Sequence, residues 1–207
     1  MKLLLVRHGE SEGNAAGFVQ GHLDFGLTAL GRAQAEATAE RLRALKVDRL
    51  VSSPLKRAFE TASVIAAAVG LAIESEPGLM EYDMGAASGL TGPQIREKFP
   101  HVVDAWRKGL RPQFPGEEGR DEFHARVNAV LQRFAGTGQS IVAVAHGGVI
   151  SGICYEVLGM DRSRRGAFEA WNCSITEVTA DRSGRLVLLR QNDTCHLDGL
   201  LTAADRG

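Results

Sequence analysis

Long apolar runs are missing from this 207-residue sequence. None approaches the roughly 20 residues that a helix needs to cross a bilayer, and the opening MKLLLVRHGE turns charged too soon to act as a signal peptide. Cysteine is scarce: Cys154, Cys173 and Cys195 are odd in number, widely spaced and without a CxxC pair. That pattern argues against a disulfide framework or a zinc site and suits a reducing, cytoplasmic setting. Neither sign of charge dominates, with 24 basic and 25 acidic residues and a formal charge of -1. A chain so balanced has no global field to draw in nucleic acid or an anionic membrane, so any anion site must be a local cluster of cations. Several reactive signatures are missing too. No cysteine is followed six residues later by arginine, and no P-loop or HExxH pattern occurs.

What is present suits one globular domain, residues 1–207, with hydrophobic residues at 44% and charged residues at 24%. Lys2 to Val6 reads as a short buried strand. Thr28 is a plausible N-cap for a long Ala-, Leu-, Glu- and Arg-rich helix, despite Gly31. RLVSSP gives a second strand, and Ser53 followed by Pro54 has the cap-plus-proline signature of a helix start, with Gly70 closing that helix. A weak strand follows near Leu71 to Glu74. The glycine- and proline-broken stretch at about 77–120 predicts a cap over the sheet, with short helical pieces at Gln94–Lys98 and Val102–Arg107. Phe123, Val127, Val130, Leu131 and Phe134 have the spacing of an amphipathic helix. Ile141 to Ala145 is the clearest central strand, Gly148 to Leu158 its following helix, and SITEVT with RLVLLR a late hairpin. Strands alternating with helices imply a three-layer α/β/α sandwich, its sheet mostly parallel with an antiparallel edge strand.

Two of the strands end alike. LLLVRHG and VAVAHGG both carry an apolar run into a histidine and then glycine. In open α/β sheets, ligands bind outside the carboxyl ends of the strands, so His8 and His146 fall at one edge. Gly9, Gly147 and Gly148 let the backbone turn sharply and let a ligand approach. Arg7, at the end of a buried strand, calls for an anionic partner, and its fork matches phosphate oxygens. A salt bridge to Glu10 is the plainer alternative. Arg57, in the first turn of a helix delivered to the same edge, adds a second cation.

LLLVRHGESEGN, GHLDFGLTALGRAQA, SSPLKRAFETA, LMEYDMG and VAVAHGGVI, with a late echo in NDTCHL, follow one another through most of the chain. In that order they resemble the successive motifs of the histidine phosphatase superfamily, in its phosphoglycerate-mutase-like branch. The resemblance implies a phosphoglycerate mutase-like fold and a phosphoric monoester hydrolase that needs no metal or other cofactor. By it, His8 is the nucleophile that forms a phosphohistidine; imidazole is largely neutral and nucleophilic at pH 7. Arg7, Arg57 and His146 stabilise the transferring phosphoryl group, and His146 counts with His8 and Glu81 as catalytic. Glu81 stands at the family's acid position. A carboxyl beside a phosphate dianion holds its proton more tightly, which suits a donor to the leaving alkoxide that then activates water; Asp83 is the competing acid. Asn14 is implied as a phosphate contact, and Gln20, Gly21 and His22 as substrate contacts.

The short EYDMGAASGLTGPQI is similar to the phosphatase rather than the mutase branch, and its Ala86, Ala87 and Ser88 suggest a roomier or less polar pocket wall. PGEEG places Glu118 at a familiar glutamate but Gly119 where serine is usual. The implied partner is a small phosphorylated metabolite; relatives handle phosphoserine, phosphoglycerates, sugar phosphates and α-ribazole phosphate. A phosphoglycerate mutase and a non-catalytic phosphatase-like binding module are the alternatives. An edge strand or exposed helix leaves room for a homodimer, which no residue demands. His101 and His124 read as helix-surface residues, His196 as a tie for the tail, and Thr61, Trp106 and Trp171 as packing or capping residues.

Overall fold

The computed structural model describes residues 1–110, 112–161 and 166–202. Arg111, within the segment expected to form a cap, lies outside the described residues, as does the stretch 203–207 at the end of the expected domain. Strand β1 (Lys2–Arg7) leads through the four-residue helix α1 (Glu12–Ala15) to α2 (Ala29–Arg43). Next come β2 (Arg49–Ser52), α3 (Lys56–Val69) and β3 (Ile73–Ser75). Helices α4 (Gly92–Lys98) and α5 (Pro100–Arg107) precede the long α6 (Arg120–Ala135). The chain then runs through β4 (Ser140–Ala145), α7 (Gly147–Leu158), β5 (Ile175–Ala180) and β6 (Leu186–Asp193).

The six strands form one sheet in the order β3-β2-β4-β1-β5-β6. The first four run parallel, and β5 and β6 are antiparallel additions at one edge, so the expected antiparallel edge is two strands deep. Alternation along the strands sorts their side chains onto two faces. Leu3, Leu5, Ile141 and Ala143 pack with Phe123, Val127, Leu131 and Ile150 from α6 and α7. Leu4, Val6, Val142 and Val144 pack with Leu42, Ala58, Ala62 and Ile65 from α2 and α3. Both faces of the central strands are therefore buried, which explains their unbroken apolar sequence and the three-layer sandwich.

Thr28 caps α2 as expected, its hydroxyl accepting the Gly31 N–H. The start of α3 differs from expectation. Its N-cap is Leu55, not Ser53, and the Ser53 hydroxyl instead accepts the Leu55 N–H at 3.3 Å. A turn two residues longer than anticipated leaves Ser53 at the sheet edge. Between β3 and α6, a separate apolar cluster of Ala87, Ile95, Phe99, Val102 and Phe114 gives the intervening segment its own small core.

Gly31 is not an indifferent helix position. A Cβ there would overlap the Glu10 carbonyl oxygen, and a Cβ on Gly9 would overlap the carbonyl of Gly31. The first turn of α2 thus packs backbone to backbone on the loop that leaves β1. Ala normally stabilises a helix interior relative to Gly by about 1 kcal/mol. Gly31→Ala is expected to do the reverse, lowering the urea midpoint by the equivalent of about 2 kcal/mol or more; an unchanged or raised midpoint would show that the close approach costs nothing to relax.

Candidate active site

The site starts from strand register. Arg7 of β1 is paired with Ala145 of β4, so the next residue of each strand, His8 and His146, leaves the sheet side by side. Their ring centroids lie 5.2 Å apart. The His8 main chain is pinned from both sides: its N–H donates to the Ala145 carbonyl, and its carbonyl accepts from Cys173 N–H and the Asn172 amide. The next amide, Gly9 N–H, donates to Thr61 Oγ1 at 3.0 Å.

His8 Nδ1 lies 2.7 Å from the Gly9 carbonyl oxygen. A carbonyl only accepts, so Nδ1 carries the hydrogen and Nε2 carries the lone pair. Burial, then Arg7 and Arg57, push the His8 pKa well below its ordinary 6.5, against a smaller opposing effect of the Gly9 hydrogen bond. His8 is consequently a neutral base in a basic setting.

His146 is fully buried behind it, and Ser53 holds its ring. Ser53 Oγ already accepts from Leu55 N–H and sits 2.8 Å from His146 Nε2. The Ser53 hydroxyl and His146 Nε2 thus share a hydrogen bond, and Nδ1 is buried with no hydrogen-bond partner among the described residues. Burial and then the neighbouring His8, Arg57 and Arg7 hold the His146 pKa well below 6.5.

Arg57 is only 1% exposed. Its Nη1 donates to the Leu23 carbonyl at 2.8 Å and its Nη2 to the Gly21 carbonyl at 2.9 Å, while Nε has no partner. Burying an ion costs several kcal/mol, and two neutral carbonyls satisfy the donors without cancelling the charge. Burial lowers the Arg57 pKa to about 10, so the group stays cationic and ready for an anion. Arg7 Nη1 donates to the Ala170 carbonyl at 2.7 Å. The proposed alternative of an Arg7–Glu10 pair does not form, because Glu10 Oε1 accepts from the Thr28 hydroxyl instead.

These groups surround a hollow of about 400 Å³ whose wall includes Arg7, His8, Gln20, Gly21, Arg57 and Glu81. Glu81 accepts from Gly148 N–H through Oε2 at 3.0 Å and from Tyr82 N–H through Oε1 at 2.8 Å. The fit is close enough that a Cβ on Gly148 would overlap the carboxylate, which gives that glycine its reason. Gln20 lines the hollow but accepts from the Ser11 hydroxyl.

Three expected site residues stand off the wall. His146 lies one layer back, as above. Asn14 Oδ1 closes a capping box with Ser11 at the start of α1, so its carbonyl serves the turn. His22 Nε2 donates to the Glu81 carbonyl at 2.6 Å, and its Nδ1 is 3.6 Å from Asp83. His22 therefore positions the Glu81 backbone, and Asp83, the competing acid, is its neighbour outside the hollow.

Sequence reasoning missed two groups. Ser53 was read only as a cap. Arg126 donates to the Met80 carbonyl at 2.7 Å and the Glu81 carbonyl at 2.9 Å, and forms a two-pronged pair with Glu118 at 2.7 and 2.9 Å. It clamps the segment carrying Glu81 onto α6. The signal was present: Arg126 interrupts the Phe123, Val127, Val130 stripe at the i+3 position, where an apolar residue would be expected. His124, read as a surface residue, lines a second cavity beside the hollow. His196 does tie down the tail, through Cys173 O and Thr38.

Comparison with known proteins agrees with this geometry. The model of the histidine phosphatase superfamily (branch 1) matches residues 3–194. Phosphoserine phosphatase 1 of Hydrogenobacter thermophilus is 35% identical over 95% of this chain and 94% of its own. A probable phosphoglycerate mutase of Yersinia enterocolitica is 31% identical over 96% and 95%. The structure of a mycobacterial glucosyl-3-phosphoglycerate phosphatase superposes with a TM-score of 0.82 at 30% identity, over 93% of this chain and 99% of that one. A buried His8 facing two arginines at the end of paired parallel strands, and a family match across 3–194, place this chain in the histidine phosphatase superfamily.

Proposed function

We propose that the chain is a metal-independent phosphomonoesterase that hydrolyses a small phosphorylated metabolite through a phosphohistidine on His8. The observation that carries this reading is the His8 tautomer: Nδ1 is committed to the Gly9 carbonyl, leaving the Nε2 lone pair beside two buried or half-buried guanidinium groups. In the first step Nε2 attacks phosphorus, the bond from phosphorus to the ester oxygen breaks, and Glu81 gives its proton to the departing alkoxide. In the second, Glu81 takes a proton from water as the water oxygen attacks phosphorus; the N–P bond breaks, returning His8 and releasing inorganic phosphate. Arg7 and Arg57 bear the charge on the equatorial oxygens in both steps. The named relatives support a phosphate monoester as the substrate, since phosphoserine and glucosyl-3-phosphoglycerate are both phosphate monoesters. The mutase among the relatives makes transfer within phosphoglycerate the second reading. It would appear as an isomerised product in place of free phosphate.

Three outcomes test the proposal. With p-nitrophenyl phosphate and a chelator, the wild type is expected to turn over undiminished and His8→Ala to fall by about 10⁴-fold or more; equal turnover by the two would remove His8 from the mechanism. Glu81→Gln is expected to slow the release of an alkyl alcohol by about 10²-fold or more, and to spare single-turnover release of p-nitrophenolate, which needs no proton. Equal slowing of both would deny Glu81 the role of acid.

The third outcome concerns stability. His8 and His146 stay neutral in the fold well below pH 6.5, whereas in the unfolded chain they protonate near it. Below about pH 6.5 the unfolded state therefore binds more protons, and each histidine removes up to about 1.4 kcal/mol of stability per pH unit as pH falls. The urea midpoint is expected to drop from pH 7 to pH 5, and less steeply in His146→Gln. An equally steep drop in that variant would contradict the neutral state of His146.

A further inference from the structure

Beside the phosphate hollow lies a second cavity of about 240 Å³, and the two share Tyr82, Met84 and Gly148 as common wall. Gly148 is also the residue whose N–H holds the Glu81 carboxylate. The proton donor therefore stands beside the wall that the two chambers share, and the second chamber is the adjoining space for the carbon substituents of an ester oxygen protonated there.

That chamber's chemistry differs from the first. Trp106, Phe123, His124 and Tyr155 line it, with Ser151 and Gly152 of α7 as its small floor. The rings are braced from behind: Tyr82 meets Phe123 edge-on at 5.2 Å, Trp106 meets Phe114 at 5.3 Å and Tyr155 meets Phe168 at 5.1 Å. A cavity of about 150 Å³ holds a benzene ring, so this one takes a ring with a substituent. A two-carbon alcohol would leave most of the aromatic wall uncovered and forgo its burial.

Among the described residues, Glu117 and Arg120 bring charge to the same space. Glu117 is already engaged through both oxygens, accepting the Tyr82 hydroxyl at 2.6 Å and the Phe114 N–H at 2.6 Å. Burial and that carboxylate raise the Tyr82 pKa, so the phenol remains a donor. Arg120 is half-buried at the start of α6, and its side chain forms no ion pair or hydrogen bond with any described residue. An arginine so placed among rings is matched by a carboxylate on the ligand.

We infer that this cavity receives the alcohol half of the substrate and selects phosphate monoesters whose alcohol bears a ring and a carboxylate, the ring held by the aromatic wall and the carboxylate by Arg120. The inference rests on the hydrolytic reading of His8 and adds the substrate class to it.

Three esters with leaving alcohols of similar basicity test it: ethyl phosphate, 2-phenylethyl phosphate and 2-(4-carboxyphenyl)ethyl phosphate. In the wild type, kcat/KM is expected to rise about tenfold or more from the first to the second, and about fivefold further with the carboxylate. Equal values for ethyl and 2-phenylethyl phosphate would overturn the ring site. In Arg120→Gln the ratio between the carboxylated and plain phenylethyl esters is expected to fall close to one; a ratio kept at the wild-type value would overturn the role of Arg120. In Ser151→Leu the ratio of 2-phenylethyl to ethyl phosphate is expected to collapse, and its persistence would place the ring elsewhere. Each ratio is taken within one preparation, so partial misfolding of a variant leaves it unchanged. An ester carrying an ammonium in place of the carboxylate should be disfavoured; a preference for it would assign the charge recognition to Glu117 and reject the inference. If the wild type cleaves none of these esters or p-nitrophenyl phosphate, the hydrolytic reading itself has failed; if it cleaves p-nitrophenyl phosphate and shows no ratios, only the cavity's role has.

Discussion

The pairing of β1 with β4 is the constraint on which the site depends. Two strands far apart in the sequence lie parallel with Arg7 opposite Ala145, and that register alone sets His8 beside His146. A shift by one residue would turn the alternating side chains of β1 to the wrong faces of the sheet. Leu3 and Leu5 would then leave the core built with α6 and α7, and Leu4 and Val6 the core built with α2 and α3. The same burial that makes the strands uniformly apolar therefore enforces the geometry of the histidine pair. Packing and chemistry are set by one register.

Around that pair the fold keeps a buried positive charge that the nearby Glu81 and Asp24 offset only in part. Arg57 donates to two carbonyls, His146 Nδ1 has no hydrogen-bond partner among the described residues, and both histidines are held neutral by the same surroundings. Such an arrangement costs stability in the empty protein, because burial of the Arg57 guanidinium outweighs the favourable charges of Glu81 and Asp24 until an anion arrives. It has a matching benefit in catalysis, since dipoles and charges already oriented need no rearrangement as the phosphoryl group moves. The hydrogen bonds at Gly9, Ser53 and Gly148 fix direction, and the arginines supply the field.

Much of this was legible before any coordinates. The two apolar strands ending in His-Gly, the helix bearing Arg57 and the alternation of strands and helices are local patterns, so Arg7, His8, Arg57 and the sandwich followed from them. Glu81 was legible only through the family resemblance; nothing in LMEYDMG itself distinguishes a proton donor from a surface carboxylate. What stayed hidden depends on contacts distant in sequence. Ser53 looks like a helix cap because its local sequence has that form, yet its hydroxyl meets a histidine 93 residues away. His22 and Asn14 sit in motifs near the hollow, but a hydrogen bond to a backbone carbonyl and a capping box engage them first. The direction in which Arg126 points, back toward residues 80 and 81, required the fold of the intervening segment.

That intervening segment has a core of its own in Ala87, Ile95, Phe99, Val102 and Phe114, distinct from the two cores that flank the sheet. Its side chains can be exchanged with little disturbance to the strand register, because few of its apolar contacts are shared with the β1–β4 platform. The two chambers thus answer to different elements: the hollow to the register of β1 with β4, and one wall of its neighbour, through Trp106 braced by Phe114, to this segment. Exchanging that brace would reshape the adjoining cavity while Arg7 and His8 keep their places.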